Sequence, residues 1–144
     1  MNVLKVTEGP PTIVSPTTTV LETVEAMVRN RVGAAAVIDH GTLVGIFSER
    51  DVMTRVVLPQ KSANKILVAE VMSAPVQTIT AEVSGHEALS IMIENHIRHL
   101  PIVDEKGKIL GMLSIRNLLQ RRVEDLADEV TSLDSYMTAD GIGG

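Results

Sequence analysis

Gly45-Ile46-Phe47-Ser48-Glu49-Arg50-Asp51 returns later in the chain as Gly111-Met112-Leu113-Ser114-Ile115-Arg116-Asn117. Both stretches read as a strand end turning into a helix, with a hydroxyl at the cap, a cation two residues on and a polar acceptor after it. Outward from this turn the correspondence holds. Met27 lies over Met92, Glu22 over Glu87, Asn30 over Asn95 and Asp39 over Asp104; after one inserted residue in the second turn, Ser48 lies over Ser114. Apolar positions keep step, Val14 with Ile79, Val28 with Ile93, Val32 with Ile97 and Val37 with Ile102. Two copies of one small fold follow. A duplicated hydroxyl, cation and acceptor point to paired binding sites rather than to a single catalytic centre.

Each copy reads as strand, helix, strand, strand, helix. The expected class is therefore α/β (α+β), with two β-α-β-β-α repeats packed about a pseudo-twofold axis. Thr12-Ile13-Val14 and Val76-Gln77-Thr78-Ile79 are the leading strands. Thr19-x-x-Glu22 and Ser84-x-x-Glu87 then read as capping boxes, the hydroxyl taking an orphan N–H and the carboxylate reaching back. Behind them Val20, Val24, Met27 and Val28, or Leu89, Met92, Ile93 and Ile97, share one helical face expected to be buried. Hairpins follow at residues 34–47 and 100–113, turning at Asp39-His40-Gly41 and Asp104-Glu105-Lys106-Gly107. Ser48 and Ser114 open the final helices, the second continuing through Leu118, Leu119, Val123 and Leu126 toward Val130 and Leu133.

The boundaries expected from this pattern are a first repeat with its N-terminal segment at 1–57, a linker at 58–72, a second repeat at 73–133 and a tail at 134–144. Val68 to Met72 reads as a short helical turn, and Ala139-Asp140-Gly141-Ile142-Gly143-Gly144 as frayed. One copy, about 45–50 residues, buries too little apolar area to offset its own chain entropy, so the copies are expected to pack together.

Composition narrows the function. A net charge of −5, with no basic run longer than Arg121-Arg122, argues against a nucleic-acid surface. The chain has no cysteine, which removes disulfides and thiolate metal sites. No apolar run approaches the roughly 20 residues that cross a bilayer, and the first residues lack the layout of a signal peptide; the expectation is a cytoplasmic protein with no membrane partner. Phe47 and Tyr136 are the only aromatics, so the core must be aliphatic. His40, His86 and His96 read as surface residues without metal-ligand spacing, and the methionines as packing. Glu124, Asp125, Asp128 and Glu129 read as a solvated helical face or a partner surface. With no recognisable nucleophile or metal constellation, an enzyme is not expected.

The repeated turn has two readings. Ser48-x-x-Asp51 and Ser114-x-x-Asn117 fit plain helix caps. They also fit a ligand site, because free N–H groups and the positive helix end favour anions, Gly45 and Gly111 permit close approach, and a carboxylate at Asp51 matches two adjacent hydroxyls such as a ribose diol. Arg50 and Arg116 suit phosphate. Arg98-His99-Leu100-Pro101 stands where the first copy has Gly33-Ala34-Ala35-Ala36. Either these cations decorate an edge strand, or one cleft is phosphate-binding and the other roomier and less charged.

The chain resembles a pair of cystathionine-β-synthase (CBS) domains, a Bateman module, over about residues 10 to 123. Ile97-Arg98-His99-Leu100-Pro101-Ile102-Val103-Asp104 and the two Gly-x-x-Ser-x-x-Asp/Asn turns carry the likeness. The resemblance implies a regulatory, signal-transducing module whose clefts bind adenosine-containing ligands such as AMP, ADP, ATP, NAD or S-adenosylmethionine. No catalytic cofactor is implied, and a homodimer and an unidentified target protein are the expected partners. It implies a first site from Ile46, Ser48, Arg50 and Asp51, closed by Val76, Gln77, Ile97, Arg98, His99 and Pro101. A second site would use Met112, Ser114, Arg116 and Asn117, facing Thr12, Ile13, Val32, Gly33 and Ala34. Asn117 replaces the family's ribose aspartate, and an amide offers only one acceptor oxygen, so the first site is expected to be the stronger. The alternative is a ligand-independent scaffold for dimerisation or protein interaction.

Overall fold

The computed structural model describes residues 2–7 and 9–137, with only the backbone of residues 136 and 137; the expected frayed tail at 139–144 lies outside them. The elements, in order, are α1 (Val3–Val6), β1 (Ile13–Val14), α2 (Val20–Asn30), β2 (Ala34–Asp39), β3 (Thr42–Ser48) and α3 (Glu49–Asp51), which widens into a π-helical turn at Val52–Val57. A 3₁₀ turn at Val68–Glu70 leads to α4 (Gly85–Glu94), β4 (His99–Val103), β5 (Ile109–Ser114) and α5 (Ile115–Met137). The last helix runs to Met137, beyond residue 133 where the second repeat was expected to end.

In the first copy β1 pairs parallel with β2, and β2 antiparallel with β3. In the second, β4 and β5 form the hairpin, but the leading strand shrinks to one parallel bridge between Ile79 and Ile102. Both hairpins carry a register shift at the equivalent place, Val37/Ile38 and Ile102/Val103. The first turns on His40 and Gly41, both at positive φ (48° and 83°), which is the twist a two-residue hairpin loop requires. In the longer second turn the Asp104 carboxylate accepts from the N–H groups of Lys106 and Lys108, each at 2.9 Å.

Thr19 and Ser84 cap α2 and α4 as expected, each hydroxyl accepting from the N–H three residues on. The reciprocal half differs. Glu22 meets the Thr19 hydroxyl rather than its backbone, and the two-way box forms at Ser48 and Asp51 instead. The helical faces are also narrower than the apolar pattern. Val20, Thr23 and Met27 are buried, whereas Val28 is 72% exposed; Ala88 and Met92 are buried, whereas Ile93 is 59% exposed. Val28 and Ile93 are equivalent positions, so the surplus apolar face is itself duplicated.

Two aliphatic clusters form the core, and each borrows from the other copy's lead-in. Val3 and Val6 of α1 pack with Ile79, Ala88, Met92, Leu100 and Leu113 of the second copy. Val68 and Val71 pack with Val20, Met27, Val37 and Phe47 of the first. The N-terminal segment, which precedes the first copy in sequence, thus packs into the core of the second. The linker is tied down by backbone bonds, Val20 N–H to Ile66, Leu21 N–H to Ala63 and Val68 N–H to Thr18, and by Arg55, whose Nη1 donates to the Met72 carbonyl at 2.8 Å. Gly45 makes room for it: a Cβ there would collide with the Met72 thioether.

Because the exchange is reciprocal, loosening either lead-in unfolds both copies. Val3→Ala and Val68→Ala should each cost about 1–3 kcal/mol in urea unfolding, each still with one transition; separate transitions for the two copies would contradict the exchange. Gly45→Ala should cost about 1–3 kcal/mol by overpacking against Met72.

Candidate functional site

The two repeated turns have diverged in what they leave free. At the end of β3 the Asp51 carboxylate is only 5% exposed. One oxygen accepts from the Ser48 N–H at 3.0 Å and from its hydroxyl at 3.2 Å. The other accepts from the Ser73 hydroxyl at 3.0 Å and faces Arg55 Nε at 3.5 Å. Ser73 reaches it because its backbone bridges Ile46 in both directions, N–H to carbonyl at 2.8 and 3.0 Å. The group expected to hold a ribose in the first site is thus engaged by Ser48, Ser73 and Arg55 of the chain itself.

Pro101 is buried within β4, its carbonyl accepting from the Ile79 N–H. Gln77 is exposed and Val76 half-buried. Arg50 does cross to the other copy, its Nη1 donating to the His96 carbonyl at 3.2 Å, one residue before Ile97.

The turn at the end of β5 is different. Ser114 accepts from the Asn117 N–H at 3.1 Å, and the Asn117 side chain lines a cavity of about 690 Å³, within the usual range of small-molecule sites, about 300–1,000 Å³. Thr12, Val32, Gly33, Ala34, Met112, Ser114 and Arg116, named for the second site, also line it; Ile13 does not. Arg98 and His99, expected beside Asp51, line this same cavity. The cause is register: His99 pairs with Ser114 across the β4–β5 hairpin, so the cations start β4 beside the turn that ends β5.

Sequence reasoning passed over Pro10, Pro11, Arg31, Glu49 and Gln120, which also line the cavity. The repeat held a signal for two of them, since Pro10 and Pro11 are the counterparts of Pro75 and Val76. Arg31 had a weaker one. It ends α2 in the left-handed conformation (φ 56°), and its equivalent His96 does the same (φ 54°); the backbone reversal turns Arg31 back toward the cleft.

Three arginines, Arg31, Arg98 and Arg116, stand against one glutamate, Glu49, so the cavity wall is cationic inside an acidic chain. His99 sits among them. Gly33 packs so closely beneath it that a Cβ would lie 3.1 Å from the ring and 3.3 Å from Glu49 Oε1. Burial holds the imidazole's pKa below its ordinary value; Glu49 opposes that shift and Arg98 adds to it. The apolar remainder, Val28, Val32 and Met112 among it, offers a surface for a flat ring. Among the described residues no cluster of metal-ligating side chains occurs, and no helix is long and apolar enough to cross a membrane.

Comparison with known proteins places this geometry. The CBS domain matches residues 4–58 and 68–124, the two copies. An uncharacterised protein of Methanopyrus kandleri is 33% identical over 107 residues, 74% of this chain; the chain spans only 55% of that relative's length. Among solved structures, a protein with CBS domains from Burkholderia ambifaria superposes with a TM-score of 0.79 at 29% identity, covering 87% of this chain and 96% of that one. A CBS domain protein from Pyrobaculum aerophilum, complexed with AMP, gives 0.74 at 26% identity, covering 81% and 89%. With both copies of its duplicated unit matched, this chain belongs to the CBS family as a pair of CBS domains.

Proposed function

We propose that the chain is a regulatory sensor that binds an adenosine-containing nucleotide in the cleft of Ser114 and Asn117. The observation that carries this reading is the cationic, half-apolar cavity of about 690 Å³ between the copies. Val32 and Met112 supply the surface for the base, Ser114 and Asn117 hydrogen-bond the ribose, and Arg31, Arg98 and Arg116 take the phosphates with charge-assisted donors. The AMP complex of the Pyrobaculum relative supports the ligand class. AMP, ADP, ATP, NAD and S-adenosylmethionine remain the set to discriminate, and phosphate number selects among them through the three arginines.

The first cleft comes second in occupancy. A ribose there must displace Ser73 and Arg55 from Asp51, whereas Asn117 already faces its cavity. The duplicated exposed positions Val28 and Ile93 support a homodimer as the working form, and the regulated target is then a protein reached through that assembly.

Isothermal titration with AMP, ATP, NAD and S-adenosylmethionine should give one tight equivalent per chain with at least one of them; silence from all four sinks the nucleotide reading. Arg98→Ala should weaken that equivalent by about 10-fold or more, the cost of a lost hydrogen bond to a charged group. Asn117→Ala should affect it more than Asp51→Ala. If Asp51→Ala proves the more damaging, the order of the two clefts is wrong.

His99 makes both stability and affinity pH-dependent. Its folded pKa lies below the ordinary value of 6.5, so its contribution to stability is complete above about 6.5 and is lost as pH falls through the folded value. A bound phosphate favours the imidazolium, so affinity should rise as pH falls from 8 toward 6. His99→Asn should flatten both profiles, read by denaturant midpoints and titration; unchanged slopes would assign them to another group.

A further inference from the structure

We propose that α5 pairs antiparallel with α5 of a second copy of this chain through a heptad stripe. Leu119, Val123, Leu126, Val130 and Leu133 are each 42–65% exposed, and their spacing alternates four, three, four, three along the helix. Leu118, about a quarter turn round the helix from the stripe, docks on the core together with the half-buried Ile115. The stripe is therefore surplus to the fold, and it continues beyond residue 124, where the CBS match ends. An apolar repeat of 3.5 residues is complementary to another helix carrying the same repeat.

The flanking charges identify that helix and its direction. In a parallel, in-register pair Glu129 would lie beside Asp134 of the second copy on both edges, like against like. In an antiparallel pair with Val123 over Leu126 of the second copy, and Leu119 over its Val130, Arg122 and Glu129 of one chain lie beside Glu129 and Arg122 of the other along one edge, while the opposite edge carries only the uncharged Gln120 and Ala127. The chain is thus charge-complementary to itself in one direction only, with the two helices crossing between residues 124 and 125. In that register Leu133 of the second copy comes level with Arg116, which lines the ligand cavity, so assembly and ligand binding meet at one place. This pairing deepens the homodimer reading above and does not depend on which nucleotide binds.

Sedimentation equilibrium on the full chain tests it. The wild-type chain should show the mass of a dimer. Arg122→Glu and Glu129→Arg should each raise the dimer dissociation constant about 10-fold or more, and the double variant should return it toward wild type. Both side chains are exposed, so circular-dichroism melting of the variants should match wild type. Because the chain has no cysteine, a mixture of Leu119→Cys and Val130→Cys chains should form a mixed disulfide on oxidation, while neither alone cross-links to itself. A monomeric wild type overturns both this pairing and the homodimer. A wild-type dimer indifferent to either charge reversal overturns the pairing and leaves a dimer through Val28 and Ile93 standing. Single reversals that weaken without mutual rescue, or self-cross-linking of each cysteine variant, overturn the antiparallel register.

Discussion

The exchange of lead-ins is the constraint on which the rest of this molecule depends. A copy of this size cannot close its own aliphatic core, and Phe47 is the one aromatic ring buried among the residues whose side chains are described. Val3 and Val6 supply the second copy and Val68 and Val71 the first. Each fully buried valine contributes about 1.5–3 kcal/mol, comparable to a sizeable share of a small domain's total stability. The clefts between the copies are a by-product of that mutual completion: they exist because neither half can stand apart.

The same lead-in explains why duplicated turns have come to differ. Met72 and Ser73 follow directly from the linker's core turn and lie across β3, so the first Ser-x-x-Asp turn is met by a hydroxyl that its carboxylate can accept. Thr7, the counterpart of Met72, lies against Gly111 with its hydroxyl donating to the Leu4 carbonyl at 2.8 Å, and Asn117 lines the cavity. A change of one side chain from acid to amide coincides with a change from a sealed turn to an open one. Electrostatics then favours the open side for an anion, since Arg31, Arg98 and Arg116 gather there without a carboxylate at position 117 to oppose them.

Much of the fold was legible because its signals are local. Thr19, Ser84 and Ser48 announce helix starts through a hydrogen bond three residues long, His40-Gly41 announces a hairpin through backbone sterics, and the repeat doubles each signal. The site was legible only by residue type. Arg98 and His99 were expected to close the first cleft; strand pairing with Ser114 puts them on the wall of the cavity at Asn117, a register no local pattern encodes. Val28 and Ile93 misled for a related reason: periodicity marks an apolar face, but only packing decides how wide a part of it the core covers.

The sequence by itself determined that the chain is two copies of a β-α-β-β-α unit with paired hydroxyl-cation-acceptor turns, since spacing and residue type are enough for caps, turns and repeats. Only the tertiary structure decided which copy each lead-in completes, that Asp51 is spoken for by Ser73, and that the cavity opens at Asn117. Those outcomes rest on contacts between residues far apart in the chain, where distance, burial and competition for hydrogen-bond partners replace pattern as the deciding physics.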